Sequence, residues 1–272
     1  MKKRIFWLFD LLIVVCMAAV CLTACSDRTG EEEAGEDAAQ EVVFTIENVE
    51  EKGSEEYLEW DFQLPKITGT PVAEKIAREL NSEKEEFMKT ARETAAEIGE
   101  AVKSGDDWGV DMSAYCGARW DYTQQGNVVT VLVNWSTYLG GAHGGSSLQT
   151  ITFTVDDGKI YDFNDIFKDA EGIDFVKNYI SAAVSKEPEL YYESAADDVK
   201  TFDNNLYNFY FNGESLYVAF NPYVIAPYAA GIVSFEIPFE ESEKYLDDAV
   251  REFIRDSEPK EISEYVVPKE NL

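Results

Sequence analysis

Apolar and polar residues alternate in several segments of this chain, and no other feature constrains the fold as much. The clearest run has apolar side chains at every second position, namely Leu58, Trp60, Phe62 and Leu64. Strict alternation places such residues on one face of a β-strand. The same pattern recurs at residues 119–123, 129–135 and 150–155. Because the connections between these segments are short, we expect antiparallel pairing with one solvated face.

After Pro71 the apolar spacing changes from two residues to three, four or seven. The apolar residues are Val72, Ile76, Leu80, Phe87, Ala91, Ala95, Ile98 and Val102. This spacing predicts one long amphipathic helix, with Pro71 in its first turn and Ser104 and Gly105 at its end. Further helices are predicted at residues 173–184 and 246–254, and further strands at 216–220 and 231–237. The fold class is therefore α+β, with antiparallel sheets, helices packed on one side, and two small subdomains.

The amino-terminal residues have the composition of a bacterial lipoprotein signal peptide. Basic residues at positions 2–4 precede an apolar run at 11–22, and Leu-Thr-Ala-Cys ends at Cys25. The run is shorter than the roughly 20 residues of a spanning helix, and Asp10 prevents its extension. We expect cleavage before Cys25 and lipid attachment to its sulfur, which anchors the chain on the extracytoplasmic side of the cell membrane. The alternative is an uncleaved signal anchor.

The remaining chain divides by composition. An acidic stretch without large apolar residues cannot form a core and is predicted to be a flexible tether. The two folded halves that follow could share sheet hydrogen bonds and behave as one unit. The predicted segments are a signal peptide at 1–24, the tether at 25–40, an amino-terminal domain at 41–136, a carboxy-terminal domain at 137–256 and an irregular tail at 257–272.

The net charge limits which partners the protein can bind, and the cysteine content limits which covalent chemistry it can perform. The formal net charge of −30 excludes binding to nucleic-acid phosphates, and leaves the lipid anchor as the only attachment to the membrane. Once the signal peptide is removed and Cys25 is acylated, Cys116 is the one remaining cysteine, so no intramolecular disulfide is expected. No basic surroundings suggest an activated thiolate, and we interpret Cys116 as a packed thiol.

Three stretches carry a family resemblance. They are Tyr-Leu-Gly-Gly-Ala-His-Gly at 138–144, Gly-Lys-Ile-Tyr-Asp-Phe-Asn-Asp-Ile-Phe at 158–167 and Tyr-Val-Ile-Ala-Pro-Tyr-Ala-Ala-Gly at 223–231. Together they resemble the extracytoplasmic domain pair of RsiV-type anti-sigma factors, which also occurs beside the catalytic domain of PdaC-type peptidoglycan deacetylases and in many bacterial lipoproteins of unknown function. The sequence Leu-Pro-Lys-Ile-Thr-Gly at 64–69 is similar to the smaller domain of that pair.

The resemblance covers about residues 41–245 and implies an α+β fold. For RsiV-type proteins it also implies binding of lysozyme, a cationic cell-wall hydrolase, which exposes the sensor to proteolysis. Only nine residues precede Asp10, and nothing corresponding to the deacetylase catalytic domain follows the pair. We therefore expect no anti-sigma activity.

The candidate site residues lie in two of these stretches. His143 is the one histidine of the chain. It is expected either to lock its glycine-rich loop by hydrogen bonds, which we favour, or to contact a ligand directly. Two tyrosines that bracket a proline-containing loop are candidates for an interface. The candidate binding or loop-structuring residues are Tyr138, Gly140, Gly141, His143, Gly144, Tyr223 and Tyr228.

No catalytic residue, metal ligand or cofactor site is predicted. A triad of His143 with Ser146 or Ser147 lacks the nucleophile elbow that such sites require. The segment Thr-Phe-Asp-Asn-Asn at 201–205 resembles the start of polysaccharide deacetylases, but their metal needs an Asp and two histidines. A carboxylate calcium site near residues 156–157 or 197–198 remains an open alternative.

The leading hypothesis is a non-catalytic binding or sensing lipoprotein that recognises a basic extracellular protein such as lysozyme, or a cell-wall component. The negative charge attracts cationic partners over long distances, although it also serves solubility. One alternative is a carboxylate-dependent cell-envelope hydrolase. The other is an accessory structural lipoprotein without a ligand.

Overall fold

The computed structural model describes residues 43–105, 113–254 and 258–267. The predicted signal peptide, Cys25 and the acidic tether lie outside these residues. The described strands are β1 (Thr45–Glu55), β2 (Leu58–Thr68), β3 (Ala114–Gln125), β4 (Val128–Tyr138), β5 (Gly145–Thr154), β6 (Ile160–Tyr161), β7 (Asn208–Asn212), β8 (Ser215–Phe220) and β9 (Val233–Pro238). The α-helices are α1 (Ala73–Ser104), α2 (Ala170–Val184), α3 (Ala195–Thr201), α4 (Phe239–Ser242) and α5 (Asp248–Ile254). Within the described part of the chain, no helix is both long and apolar enough to cross a membrane.

The α+β prediction is confirmed, with one correction to strand direction. The first six strands form one sheet in the order β1-β2-β3-β4-β5-β6. Its pairs are antiparallel except β2 and β3, which run parallel. The expectation of antiparallel pairing was wrong for this pair because α1, with 32 residues, connects the two strands. A helix of that length is long enough for the crossover that parallel strands need.

Helix α1 follows the predicted period and covers one face of this sheet. Its buried side chains include Ile76, Leu80 and Ile98. Gly105 ends the helix in a left-handed conformation (φ 78°), and its N–H donates to the carbonyls at the helix end. Pro71 lies in a turn just before Ala73 and not, as predicted, in the first helical turn.

Cys116 of β3 faces α1 in the interior. Its Sγ lies 3.4 Å from Sδ of Met88, and the residue is fully buried. Burial raises the pKa of the Cys116 thiol to about 11, although Arg92 acts in the opposite direction. The thiol is therefore protonated at neutral pH and lacks the thiolate that a nucleophile needs.

Strand β4 is buried on both faces, which the alternation in its sequence does not predict. Val129, Val131 and Val133 pack in the core below α1. On the opposite face, Thr130 is buried and shares a hydrogen bond with Thr152 of β5. The expected solvated face is absent here because a second layer of the protein covers it.

That second layer is the three-stranded antiparallel sheet β7-β8-β9. One of its faces packs on α2, where Val176 and Ile180 join the phenylalanine-rich core. The other face packs on the first sheet, where Leu132 of β4 belongs to the same buried cluster as Tyr210 of β7. Gln125 of β3 also donates through Nε2 to the carbonyl of Gly213, at 2.8 Å.

The predicted boundary at 136/137 crosses a continuous sheet. Strand β4 runs through this position and pairs with β5 along its length. Strands β5 and β6 follow the boundary in sequence and still belong to the first sheet. The two halves therefore share a hydrogen-bonded ladder, and the described residues from Val43 onward belong to one compact unit.

Residues 258–267 have no helix or strand but are held firmly against β3. Asp121 accepts a hydrogen bond from Nζ of Lys260 and another from the N–H of Ser263, the latter at 2.9 Å. Val266 and Val267 are buried in the cluster that contains Leu132. The tail thus completes the contact between the two sheets.

We predict that Val266→Ala lowers the free energy of unfolding by about 2 kcal/mol, because it removes two buried methyl groups and leaves a cavity. Val102→Ala is the matched control, since Val102 is 53% exposed. Urea denaturation measures both. An effect of Val266→Ala no larger than that of the control would mean that the tail does not contribute to the fold.

The rings of Tyr210 and Tyr217 stack with centroids 4.9 Å apart. Because both tyrosines have raised pKa values, we expect the free energy of unfolding to decrease at alkaline pH. Burial raises the pKa of Tyr210 to about 12, and it also raises that of Tyr217. A tyrosine in the unfolded chain ionises near pH 10. The raised pKa therefore stabilises the fold fully below pH 10, and this contribution is lost as the pH rises toward 12.

We expect Tyr210→Phe to reduce the difference in unfolding free energy between pH 9 and pH 12 by about 2 kcal/mol. The control Tyr265→Phe, at a residue that is 79% exposed, should leave that difference unchanged. Equal pH dependence in the wild type and in Tyr210→Phe would contradict the assignment.

Candidate functional site

The structure brings two distant stretches of the sequence into contact. His143 lies in the turn between β4 and β5, whereas Tyr223 and Tyr228 lie between β8 and β9. The rings of His143 and Tyr228 stack, with centroids 3.9 Å apart and planes inclined by 15°. The Tyr223 hydroxyl lies 3.3 Å from Nε2 of His143. We call these three residues the aromatic patch.

Hydrogen bonds indicate the tautomer of His143. Its Nδ1 lies 2.8 Å from the carbonyl oxygen of Gly144, which can only accept, so we assign the proton to Nδ1. In the neutral ring, Nε2 then accepts from the Tyr223 hydroxyl. His143 therefore ties its own loop to the β8–β9 loop, and its exposed ring is also part of the surface.

Tyr223 has an uncommon backbone conformation. Its φ of 69° is in the left-handed region, which is costly for a residue with a large side chain. The N–H of Tyr223 donates to the carbonyl of Ala226 at 3.1 Å, which closes a tight turn, and the residue is 57% exposed. Strain of this kind is concentrated at functional sites, and here it presents an aromatic ring to solvent.

Asn221 is a positioning residue that the sequence analysis missed. Its Oδ1 accepts from the N–H of Leu148 at 2.6 Å, and its Nδ2 donates to the Leu148 carbonyl at 3.1 Å. This pair of bonds fixes the β8–β9 loop to β5. The only local signal is the dipeptide Asn221-Pro222, which marks a turn but does not reveal the partner.

The remaining candidate residues shape the β4–β5 turn. Gly140 and Gly141 have φ values of 87° and 93°, as the loop-structuring interpretation requires. The hydroxyl of Tyr138 donates to the carbonyl of Gly141 at 3.1 Å. A Cβ at Gly144 would lie 2.5 Å from the carbonyl oxygen of Thr137. The turn therefore depends on glycine both for conformation and for close approach.

We predict that Gly144→Ala lowers the free energy of unfolding by about 1–3 kcal/mol, because the added methyl group overlaps with fixed backbone. The control is Gly99→Ala in α1, where a Cβ would lie 3.5 Å from Tyr57, an ordinary contact. We expect this control to raise stability by about 0.5–1 kcal/mol. Thermal unfolding distinguishes the two, and a stabilising Gly144→Ala would contradict the close approach.

The hydrolytic and metal alternatives find no support in the described contacts. Both ring nitrogens of His143 face the Gly144 carbonyl and the Tyr223 hydroxyl, and neither has a described hydrogen bond to Ser146 or Ser147. Within the same described ranges, no three His, Cys, Asp or Glu side chains lie close enough to hold a metal ion.

Three of the four carboxylates considered for calcium, those of Asp157, Asp197 and Asp198, have protein partners. Asp157 accepts from the Thr154 hydroxyl and from the N–H of Lys159, and the hydroxyl bond lowers the pKa of the Asp157 carboxyl. Asp197 forms an ion pair with Lys200 at 3.2 Å. Asp198 accepts from the Ser194 hydroxyl at 2.7 Å.

Two family models match separate parts of this chain. Residues 51–146 match the family model "Deacetylase PdaC", and residues 164–240 match "Protein of unknown function (DUF3298)". The chain therefore carries a DUF3298/PdaC-like domain pair. His143 lies in the first matched region, and both tyrosines of the aromatic patch lie in the second. No curated protein matches the chain.

Two solved structures align with this chain. A DUF3298 family member from Bacteroides fragilis NCTC 9343 aligns with a TM-score of 0.56 at 17% identity, covering 79% of this chain and 97% of that one. A DUF3298 family protein from Pseudomonas aeruginosa PAO1 aligns with a TM-score of 0.46 at 13% identity, covering 81% of this chain and 98% of that one. At 17% identity, the first of these alignments shows similarity of fold alone.

Proposed function

We propose that this protein is a lipid-anchored extracytoplasmic module that binds a partner without catalysis, and that the aromatic patch forms its contact surface. The partner is a basic protein such as lysozyme, or a cell-wall component. The observation that carries this proposal is the exposed Tyr223, which is held in a strained conformation by His143 and by its own turn.

The chemistry of the patch suits such partners. Tyrosine rings attract the ammonium and guanidinium groups of a basic protein through their faces, and their hydroxyl groups accept or donate hydrogen bonds at a wet interface. The net charge of −30 increases the rate at which cations encounter the surface. Because the loops are fixed by Asn221 and His143, little conformational entropy is lost on binding.

The resemblance to RsiV-type proteins supports lysozyme as the first partner to test. The PdaC model bears the name of a deacetylase, but one histidine in the whole chain does not suffice for the Asp and two histidines of the deacetylase metal site. This argument favours a binding role over an enzymatic one.

We predict saturable binding of lysozyme to the purified mature protein, weakened at least about tenfold by Tyr223→Ala or Tyr228→Ala, as expected for aromatic contacts at the centre of an interface. Tyr265→Ala is the control because this tyrosine is also exposed but lies in the tail. Calorimetric titration at low and at physiological salt measures both affinity and its ionic-strength dependence.

Absence of a saturable complex with lysozyme and with purified peptidoglycan fragments would contradict the proposal. Equal losses in the two patch variants and in Tyr265→Ala would also contradict it, since they would indicate a nonspecific effect of removing surface tyrosines.

For the anchor, mass spectrometry of the membrane fraction should show an acylated amino-terminal Cys25, and Cys25→Ser should release the protein from that fraction.

A further inference from the structure

The hairpin formed by β7 and β8 contains the dipeptide Asn212-Gly213, which occurs once in the chain. In an Asn-Gly dipeptide, the backbone nitrogen of glycine can attack the side-chain amide of asparagine. Glycine has no side chain to hinder the approach, and its backbone is unusually free to adopt the required conformation. The reaction converts asparagine to aspartate or isoaspartate, and at this dipeptide it meets the least steric hindrance.

The tail, residues 258–267, encloses this dipeptide. Nδ2 of Asn212 donates to the carbonyl of Lys260 at 2.9 Å, and Oδ1 accepts from the N–H of Lys260 at 2.8 Å. Pro259 packs so closely on Gly213 that a Cβ at this glycine would lie 2.9 Å from Cβ of Pro259. Ring closure moves the side-chain carbonyl carbon of Asn212 onto the nitrogen of Gly213, and the two bonds to Lys260 oppose this movement.

The tail is also held at points outside the hairpin. Asp121 of β3 accepts from Nζ of Lys260 and from the N–H of Ser263. Val266 is buried between the sheets. Because these contacts and those of Asn212 hold the same short segment, each set favours formation of the other. Loss of the Asn212 amide should therefore loosen the tail, and loss of the Asp121 contacts should make the dipeptide accessible to reaction.

We propose that Asn212 is a latent deamidation site that the bound tail protects, and that deamidation there loosens the tail. The nitrogen of Gly213 bonds to Cγ of Asn212, and the side-chain NH₂ leaves with the proton of Gly213 as ammonia. Water then opens the succinimide ring and gives aspartate or isoaspartate. In either product the Nδ2 donor is lost, and a carboxylate oxygen that faces the Lys260 carbonyl repels it.

Isoaspartate has a further effect, because its main chain runs through the side-chain carbon and is one atom longer. A hairpin with two residues in its turn, Gly213 and Glu214, cannot accommodate that atom without a change in strand register. None of these residues belongs to the aromatic patch, so the proposal is independent of the proposed function.

Peptide mapping by mass spectrometry measures the rate of deamidation at Asn212 in the full mature protein, incubated in mildly alkaline buffer. A free peptide with the sequence of residues 210–215 gives the unprotected rate. If the reaction requires local opening, the protein reacts at the peptide rate multiplied by the fraction of molecules in which the tail is open. We expect Asn212 in the protein to react at least about tenfold more slowly than in the peptide.

Two variants separate opening of the tail from global unfolding. Asp121→Ala removes two bonds to the tail from a position outside the hairpin, so it should raise the rate at Asn212 at least about threefold. Gly144→Ala is the control, because it destabilises the fold at the β4–β5 turn and leaves the tail contacts intact. We expect this control to leave the rate at Asn212 unchanged.

Amide hydrogen exchange measures the converse effect. Asn212→Asp imitates the aspartate product, and it should make the amides of Ser263 and Val266 exchange at least about tenfold faster. Asn205→Asp, at an exposed residue, adds the same charge and should leave the exchange of these amides unchanged.

Equal deamidation rates in the folded protein and in the peptide would overturn the proposal, because the tail would then give no protection. Acceleration by Gly144→Ala as large as that by Asp121→Ala would also overturn it, since the reaction would then proceed through global unfolding. The proposal is equally wrong if Asp121→Ala stays unmodified at Asn212 while the peptide reacts fully, or if Asn212→Asp leaves the tail amides as protected as in the wild type.

Discussion

Burial of β4 on both faces is the constraint on which the rest of the structure depends. Its odd-numbered side chains pack under α1, and its even-numbered ones pack against the second sheet and the tail. Buried polar groups on the second face have partners, as Thr130 does in Thr152. The strand therefore joins two hydrophobic cores, and separating the halves would expose apolar side chains that are now buried between them.

The aromatic patch follows from this arrangement. The turn that carries His143 extends from the end of β4, and the loop that carries Tyr223 extends from β8, which belongs to the sheet packed on it. Stacking of the two sheets brings the loops together, and the bonds from Asn221 to Leu148 fix their relative position. A binding surface made in this way is rigid before the partner arrives, which favours affinity.

Much of the fold could be predicted from the sequence, because period-two and helical patterns directly reflect burial on one face. The strands β2 to β5 and helices α1 and α2 belong to this group. The parallel pair β2–β3 could not be inferred from local pattern, since strand direction depends on how a connecting helix crosses the sheet. The packing of Val266 and Val267 was missed for a similar reason, because a short irregular segment has no periodicity to reveal its burial.

The residues of the candidate site could be predicted from the sequence, but the contact between them could not. Histidine in a glycine-rich turn and tyrosines around a proline are visible in the sequence, whereas the contact between His143 and Tyr223 spans 80 positions and depends on sheet stacking.

Native-state hydrogen exchange tests the central claim, that β4 makes the described residues from Val43 onward one cooperative unit. If the claim is correct, amides of β2, β4 and β8 exchange through the same opening, with equal free energies that fall together as denaturant is added. If β7–β9 and α2 instead open at a distinctly lower free energy while β2 to β4 stay protected, the halves are independent and the account is wrong.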